Sequence, residues 1–257
     1  MATLPMIRFD NVTKRFGRQT VLDRVSFEIG KGEVFSIVGP SGTGKSVTLK
    51  HMVRLLTPDE GSVWVGDSCI SAATERELPA IRSRFGYLFQ SAALLAWMTV
   101  YENVALPLLE VRHLPADEVH RRVMDALEKV GLADHGQKYP SDISGGMQKR
   151  AGLARAIVTE PEIVLYDEPT SGLDPVTSRR IDELIGDLSQ RLGITSVVVT
   201  HDMHSALAVS DRILMLGGGH VVELSKPVDF IHSERPEVKS FLDAQFITRR
   251  GSWEAHQ

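Results

Sequence analysis

The chain has 257 residues, of which 42% are hydrophobic, so it is long and apolar enough to bury a substantial core in one or two domains. Its net charge of -4, with scattered lysine and arginine, excludes the concentrated basic face of a nucleic-acid-binding protein. No apolar run approaches the roughly 20 residues that cross a bilayer, no secretory signal begins the chain and Cys69 is the only cysteine, so we expect a folded protein inside the cell.

The first third of the chain predicts strands followed by a strand, loop and helix. Strand-like apolar spacing runs from 6 to 39 and ends in the dense run 34–38, which is typical of a buried central strand. A glycine-rich turn follows at 39–44, and helical spacing from 45 to 56 stops at a segment rich in proline and glycine.

The rest of the chain alternates helices and strands. Further strands are predicted at 62–65 and 85–89, helical patterns run to about 159, and apolar β-branched runs return at 163–166, 196–200 and 213–216. One predicted helical face consists of Val119, Val123, Leu127 and Val130. We therefore predict an α/β domain over 1–243 with a parallel sheet, its core at about 1–90 and 161–235, an inserted helical subdomain at about 91–160 and a tail over 244–257.

The loop after the central strand carries a complete phosphate-binding motif. Its residues are Gly39, Pro40, Ser41, Gly42, Thr43, Gly44, Lys45 and Ser46. Glycines let the backbone pass close to phosphates, so that successive N–H groups point at negative charge. In this pattern we expect Lys45 to reach the β- and γ-phosphates and Ser46 to offer its hydroxyl to Mg²⁺.

A second acidic motif follows the predicted strand 163–166. Asp167 and Glu168 end that strand, which places both carboxylates at the edge of the sheet where ligands bind. Asp167 is suited to hold Mg²⁺ through water. Glu168 is suited to polarise the water that attacks the γ-phosphate.

Residues 142–147 predict a helix start with exposed backbone donors. Ser144 can cap a helix running to about 158, and Gly145 and Gly146 expose N–H groups at its positive end. In order with the two motifs above, this segment resembles the signature motif of ABC ATPases. The resemblance implies a P-loop NTPase (RecA-like) core with an N-terminal antiparallel β subdomain. It also implies a head-to-tail dimer in which residues 144–146 bind the γ-phosphate of ATP held by the second copy.

Four more positions match the family pattern. Gln90 resembles the glutamine that approaches Mg²⁺ and links the core to the helical subdomain, and His201 resembles the switch histidine that contacts the γ-phosphate. The segment 171–174, which ends at Asp174, resembles the loop through which the two ATP sites of the dimer sense each other. Phe16 is similar to the aromatic residue that stacks on adenine, with core packing as the alternative.

The chain departs from the family pattern at several positions. Ile143 stands where leucine is usual, and Met147 stands where glutamine is usual, with Gln148 one place later. Val47, which we count among the nucleotide contacts, stands where threonine is commoner. Backbone contacts are expected to survive these changes, so we expect the activity to remain.

Three segments are similar to the ATPases of Mla/MCE-type lipid transporters. They are 89–95, 98–105 and the signature helix over 144–156. The resemblance implies an integral-membrane permease, an MCE-domain protein and a small STAS-type subunit as partners, and phospholipid moved across the bacterial envelope. It places the chain peripherally on the cytoplasmic side of the inner membrane.

Two apolar segments predict contacts with partners. Leu94, Leu95 and Trp97 are expected either to receive a permease helix or to pack in the helical subdomain. A short amphipathic pattern near the C-terminus is expected to dock on the neighbouring ATPase. Its apolar residues are Val238, Phe241, Leu242, Phe246 and Ile247.

Two other functions stay open at this point. The chain is alternatively the ATPase of an importer for another cargo such as amino acids, since only the Mla-like segments argue for lipid. A soluble ABC switch protein of translation or DNA repair is a third reading. Such proteins usually carry two cassettes or long coiled coils and basic surfaces, and the sequence has neither.

Overall fold

The computed structural model describes residues 4–112, 114–245 and 247. Contacts between residues divide the chain into two compact units, the first formed by Met1–Ile81 and Val197–Gln257 and the second by Arg82–Ser196. Within the described residues, no helix is both long enough and apolar enough to span a bilayer.

Strands and helices alternate through most of the chain. The strands are β1 (Ile7–Phe16), β2 (Gln19–Ile29), β3 (Val34–Val38), β4 (Glu60–Val65), β5 (Ser68–Cys69), β6 (Phe85–Leu88), β7 (Ile163–Asp167), β8 (Thr195–Val199), β9 (Arg212–Gly217) and β10 (His220–Ser225). The helices are α1 (Lys45–Met52), α2 (Leu78–Arg82), α3 (Val100–Pro107), α4 (Ala116–Lys129), α5 (Gly145–Ile157), α6 (Pro175–Leu192), α7 (Met203–Val209), α8 (Pro227–Phe230) and α9 (Pro236–Asp243). Short single turns, π-helical at Leu108–Arg112 and 3-10 at Ala133–His135 and Pro140–Asp142, join some of them.

An antiparallel sheet in the first unit has the strand order β2-β1-β4-β5. Phe9 of β1 lies opposite Phe27 on one side and Val63 on the other. The rings of Phe9 and Phe27 stack with centroids 4.5 Å apart, and Phe27 stacks in turn on Phe35 at 5.6 Å. Alternate residues of these strands are buried, so the sheet has one apolar face against the core of the unit.

The first unit also contains the central strand predicted at 34–38. Strand β3 is buried at all five positions and pairs in parallel with β9, which confirms the prediction. The adjoining pair is a departure, because β10 runs antiparallel to β9 and was not predicted. Gly218 and Gly219 connect β9 and β10 with φ angles of 57° and 86°, the left-handed conformation that two-residue hairpin loops require.

The end of the described chain packs on this first unit. Val238 and Leu242 of α9 are at most 4% exposed and belong to one apolar cluster with residues of β3, α7, β9 and α8. Phe241 and Ile247 pack against the same cluster. The prediction that this pattern docks on a neighbouring ATPase is therefore wrong for Val238 and Leu242, because their apolar surface is already covered within the chain. Phe246 and residues 248–257 lie outside the described residues.

In the second unit, helices cover a parallel pair of strands. Gly86 of β6 lies opposite Val164 of β7, and a Cβ on Gly86 would lie 2.1 Å from the carbonyl oxygen of Ala156. Glycine at this position lets α5 approach the sheet closely. The predicted apolar face of α4 is confirmed, since the four residues named for it are at most 4% exposed.

The predicted end of the first helix is wrong. Helix α1 ends at Met52, four residues before the predicted end, because Arg54 takes a left-handed backbone conformation with φ of 50°. The N–H groups of Leu55 and Leu56 both turn back to the carbonyl of Lys50. The apolar spacing continues past the turn, and this is why the sequence suggested a longer helix.

Candidate nucleotide-binding site

The phosphate loop connects β3 to α1 in the first unit, as its motif requires. Gly39, Gly42 and Gly44 all have positive φ, at 141°, 83° and 98°. A Cβ on Gly39 would lie 2.3 Å from the carbonyl oxygen of Leu216, and one on Gly44 would lie 2.7 Å from a methyl group of Leu22. These two positions therefore exclude every residue except glycine, and the turn brings the N-terminus of α1 to the loop.

Lys45 is the first residue of α1, and its side chain folds back on the loop. The residue is only 7% exposed, and its Nζ donates to the carbonyl oxygens of Gly39 at 2.7 Å and Pro40 at 3.0 Å. Ser46 and Val47 lie half-buried in the same first turn of the helix. Positive charge, a helix N-terminus and a glycine backbone together fit the phosphates of a nucleotide.

His201 lies at the same end of the first unit. The N–H of Thr200 donates to the carbonyl of Ile37, two residues before the phosphate loop begins. The backbone around His201 is held by Gln245, whose Nε2 donates to the carbonyl of His201 at 2.7 Å and whose Oε1 accepts from the N–H of Met203 at 2.8 Å. Gln245 was not predicted from the sequence, because no motif connects His201 with a residue 44 positions further along the chain.

Phe16 ends β1 in the first unit and is 46% exposed. The alternative that it is a core residue is therefore wrong. The Nζ of Lys14 lies 5.6 Å from the centre of its ring, a cation–π contact that leaves part of the aromatic surface accessible. Stacking on adenine stays a prediction.

The two carboxylates of the acidic motif end β7 in the second unit. Asp167 is half-buried and accepts a long hydrogen bond, 3.5 Å, from the hydroxyl of Tyr87. Burial, and then the charge of Asp167, raise the pKa of Tyr87 well above its usual value, so this hydroxyl keeps its proton. Glu168 follows in a left-handed conformation with φ of 50°, which is uncommon for a residue other than glycine and turns the chain sharply after the strand.

Gln90 and the segment 171–174 come together in this second unit. The Nε2 of Gln90 donates to the Oγ of Ser171 at 3.4 Å. Asp174 caps α6 by accepting from the N–H groups of Val176 and Thr177, each at 3.0 Å. Bonds to Thr177, followed by the N–H of Val176, hold the pKa of the Asp174 carboxyl below its usual value. The capping role explains this aspartate locally, and its predicted sensing role stays a prediction.

The signature motif begins α5 as predicted. Ser144 is the N-cap and accepts from the N–H of Met147 at 3.3 Å. Ser144 and Gly145 are exposed, whereas Gly146 is buried against α6, where a Cβ would lie 2.5 Å from a methyl group of Thr177. The displaced Gln148 turns inward, and its Nε2 donates to the carbonyl of Pro140 at 2.8 Å. The exposed start of the helix is therefore formed by Ser144 and Gly145.

Lys149 on α5 is a residue that the sequence did not point to. It is 6% exposed, its Nζ donates to the backbone carbonyls of Gln90 and Glu168, and all three residues belong to the second unit. The sequence shows a lysine in a helix, and nothing in the pattern indicates that it is buried.

Comparison with known proteins agrees with these motifs. The profile of the ABC transporter family matches residues 22–171. The probable ribonucleotide transport ATP-binding protein mkl of Mycobacterium leprae is 42% identical over 241 residues, which cover 94% of this chain and 70% of that protein. The methionine import ATP-binding protein MetN of Carboxydothermus hydrogenoformans is 43% identical over 223 residues, 86% of this chain and 66% of that protein.

Solved structures agree on the fold. A dimeric ATP-binding cassette in a post-hydrolysis state, bound to ADP and Pi, superposes with a TM-score of 0.79 at 35% identity and covers 86% of this chain and 99% of that one. Part of the ABC transporter complex cbiONQ, cbiO1 of Clostridium perfringens, gives a TM-score of 0.83 at 26% identity and covers 94% of this chain and 96% of that one. The predicted P-loop NTPase fold with an antiparallel β subdomain is confirmed. The chain belongs to the ABC transporter family, as an ATPase of the ATP-binding cassette type that uses ATP and Mg²⁺.

Proposed function

We propose that this chain is the subunit of an ABC transporter whose ATP hydrolysis drives transport. The observation that supports this most directly is the phosphate loop, in which glycines that tolerate no side chain hold a buried Lys45 at the N-terminus of a helix. Among the remaining residues, Ser46, Asp167 and Gln90 are assigned to Mg²⁺, which would neutralise charge on the β- and γ-phosphates.

Glu168 is assigned the role of general base. A carboxylate at the end of a strand can accept a proton from the water that attacks the γ-phosphate, and His201 is assigned to orient that phosphate. Phe16 is assigned to the adenine. Each of these assignments is a proposal drawn from the order of the motifs, and the role of Glu168 is tested by replacing it with glutamine.

The active form is proposed to be a head-to-tail dimer of this chain. Ser144 and Gly145 expose the start of α5, and backbone N–H groups at a helix start attract an anion. In the dimer, this surface would contact the γ-phosphate bound to the second copy. Two of the solved structures similar to this chain are dimeric ATP-binding cassettes, which supports a dimer.

The cargo is the finer part of the proposal. The segments 89–95 and 98–105 are similar to ATPases of Mla/MCE-type systems, so we propose phospholipid transport with a permease, an MCE-domain protein and a small STAS-type subunit. The chain would then sit on the cytoplasmic side of the inner membrane. The names of the relatives favour a second candidate, an importer ATPase for a small molecule such as an amino acid.

Copurification separates the two cargoes. The chain is tagged and extracted gently from native membranes, and the proteins and lipids that accompany it are identified by mass spectrometry. A permease with an MCE-domain protein and phospholipid would support the lipid proposal. A permease with a soluble binding protein would support the importer and overturn the lipid proposal, and a chain that comes without any permease would overturn both.

A further inference from the structure

Helix α5 binds the segment that follows β6 through two cationic side chains, the buried Lys149 and the partly buried Arg155. Lys149 donates its Nζ to the carbonyl of Gln90. Six residues further along the same helix, Arg155 donates to the carbonyls of Ala92 at 2.7 Å and Ala93 at 2.8 Å. Three of the four carbonyls between residues 90 and 93 are therefore bound by one helix.

The segment 90–93, which these side chains bind, has an uncommon backbone conformation. Ala92 and Ala93 both have positive φ, at 58° and 48°, which costs free energy for residues with a Cβ. Ala92 is only 1% exposed and lies under Gly152 of α5, where a Cβ would come within 3.2 Å of its own Cβ. The segment holds this conformation because α5 supplies both the packing and the hydrogen bonds.

Lys149 differs from Arg155 because it also reaches the acidic motif. Its Nζ lies 3.2 Å from the carbonyl oxygen of Glu168, the residue with the left-handed backbone at the end of β7. One ammonium group thus joins the backbones of two residues that are far apart in sequence. Burial lowers the pKa of Lys149, and the nearby charges of Glu168 and Asp167 oppose that effect.

Burying an ammonium group is unfavourable unless its surroundings compensate for the lost water. If the side chain at position 149 only filled space, methionine or leucine would make the folded protein more stable, because neither carries a charge. The buried ammonium group of Lys149 therefore indicates that its two hydrogen bonds have a function, which is to fix the positions of the carbonyls of Gln90 and Glu168.

We propose that Lys149 is a positioning residue for ATP hydrolysis. By binding the carbonyls of Gln90 and Glu168 at once, its ammonium group sets the separation between the magnesium-side glutamine and the general base. This inference rests on the roles proposed above for those two residues. Lys149 binds backbone carbonyls, so its effect on hydrolysis would pass through the backbone of the two residues that it holds.

The first test replaces Lys149 by methionine in the full-length chain with its copurified membrane partners. We expect kcat for ATP hydrolysis to fall about tenfold or more while KM changes by less than about twofold, because positioning affects the transition state and spares nucleotide binding. Lys149→Arg, which keeps a cationic donor, should recover part of the lost kcat. An unchanged kcat in Lys149→Met would overturn the inference.

Arg150 provides the matched control. It lies next to Lys149 on the same helix, and its guanidinium donates to the carbonyls of Val130 at 2.9 Å and Gly131 at 3.1 Å, away from the acidic motif. Arg150→Met also removes hydrogen bonds from a cationic side chain to backbone carbonyls. It should therefore lower the melting temperature but leave kcat within about twofold of the wild-type value. If it lowered kcat as much as Lys149→Met, the role of Lys149 would be structural only and the inference would fail.

A double variant separates this inference from the proposed function. If Lys149 acts through Glu168, the loss from Lys149→Met should largely disappear in a Glu168→Gln background, where the base is already absent. Full additivity of the two losses would overturn the positioning role. Normal hydrolysis in Glu168→Gln alone would instead overturn the assignment of the base.

Discussion

At the residue scale, the charge of Glu168 is the feature most directly open to test. Glu168, which has a left-handed backbone, is the proposed base, and Glu168→Gln keeps the shape of the side chain but removes its carboxylate. We expect turnover to slow about a hundredfold or more, equivalent to about 3 kcal/mol of activation free energy, with ATP binding retained. Steady-state hydrolysis and equilibrium nucleotide binding measure the two effects.

Lys45→Ala is the contrasting variant for that prediction. The ammonium group belongs to the phosphate loop itself, so its removal should weaken nucleotide binding as well as turnover. Wild-type affinity in Lys45→Ala would contradict the phosphate-loop assignment, and near-normal turnover in Glu168→Gln would contradict the base.

His51, on α1, makes stability depend on pH. It is 1% exposed, its Nδ1 lies 2.7 Å from the carbonyl of Val47, and its Nε2 has no hydrogen-bond partner among the described residues. Burial lowers the pKa of His51 below the 6.5 of the unfolded chain. Below about pH 6.5, His51 therefore binds a proton more readily in the unfolded state than in the folded state. The free energy of unfolding consequently falls as the pH falls.

The measurement is the melting temperature between pH 7.5 and 5.5. We expect the melting temperature to decrease over this window, and to decrease less in His51→Gln, whose amide can donate to the same carbonyl and does not titrate. An identical decrease in the variant would show that other groups are responsible.

At the scale of elements, two helical glycines have opposite surroundings. On Gly152 of α5, a Cβ would meet Leu88 at 2.8 Å and Ala92 at 3.2 Å, whereas on Gly186 of α6 it would meet nothing within 4 Å. Alanine favours helix by about 1 kcal/mol over glycine. Gly186→Ala should therefore stabilise the protein by about that amount, and Gly152→Ala should destabilise it by about 1–3 kcal/mol through overpacking.

Urea unfolding of both variants measures the difference, with each glycine serving as the control for the other. Equal stabilisation by both substitutions would mean that α5 does not need its close approach to β6 and to the segment after it.

The loop ahead of α3 carries the predicted contact with the permease. Trp97 is 74% exposed, while Leu94 and Leu95 are half-buried, so the loop offers one large aromatic side chain and uses the two leucines partly for its own packing. A large exposed aromatic residue is a frequent anchor in protein interfaces. The hypothesis that this loop receives a permease helix is therefore best tested at Trp97.

We expect Trp97→Glu to reduce the amount of permease that copurifies, with ATP binding and melting temperature unchanged. Leu192→Glu is the control, because Leu192 is also exposed, at 41%, but lies at the end of α6 away from this loop in sequence. Normal assembly in Trp97→Glu would contradict the hypothesis.

At the scale of the whole molecule, ATP is expected to drive dimerisation. In the Glu168→Gln variant, Mg-ATP should convert the chain from a smaller species to a dimer, because the nucleotide is bound and not consumed. Gly145→Asp should prevent this, since it adds a negative charge where the partner's γ-phosphate is expected. Size-exclusion chromatography with light scattering measures both.

Gly145 suits this test because its replacement by aspartate should not destabilise the fold of the chain. A Cβ there would lie 3.6 Å from a methyl group of Leu173, an ordinary contact, and aspartate is favourable in the first turn of a helix. A dimer that forms equally well with Gly145→Asp would overturn the proposed role of the signature surface.

Much of this protein could be predicted from local sequence patterns. The buried run 34–38 followed by the glycine motif, the Ser144 cap of α5 and the apolar face of α4 all formed as predicted. Each depends on chemistry within a few residues, such as a φ angle that only glycine tolerates or a cap that accepts one N–H. The order of these motifs along the chain also indicates the family, and it depends on no long-range contact.

Contacts between distant residues were decided by the tertiary structure alone. Lys149 and Gln245 resemble ordinary surface residues in the sequence, yet one is buried against Gln90 and Glu168 and the other holds the backbone at His201. The apolar face of α9 was likewise predicted to dock on another chain, yet Val238 and Leu242 pack within their own unit. Local periodicity reports that a face is apolar, whereas only the folded chain determines what covers it, because burial depends on neighbours far along the sequence.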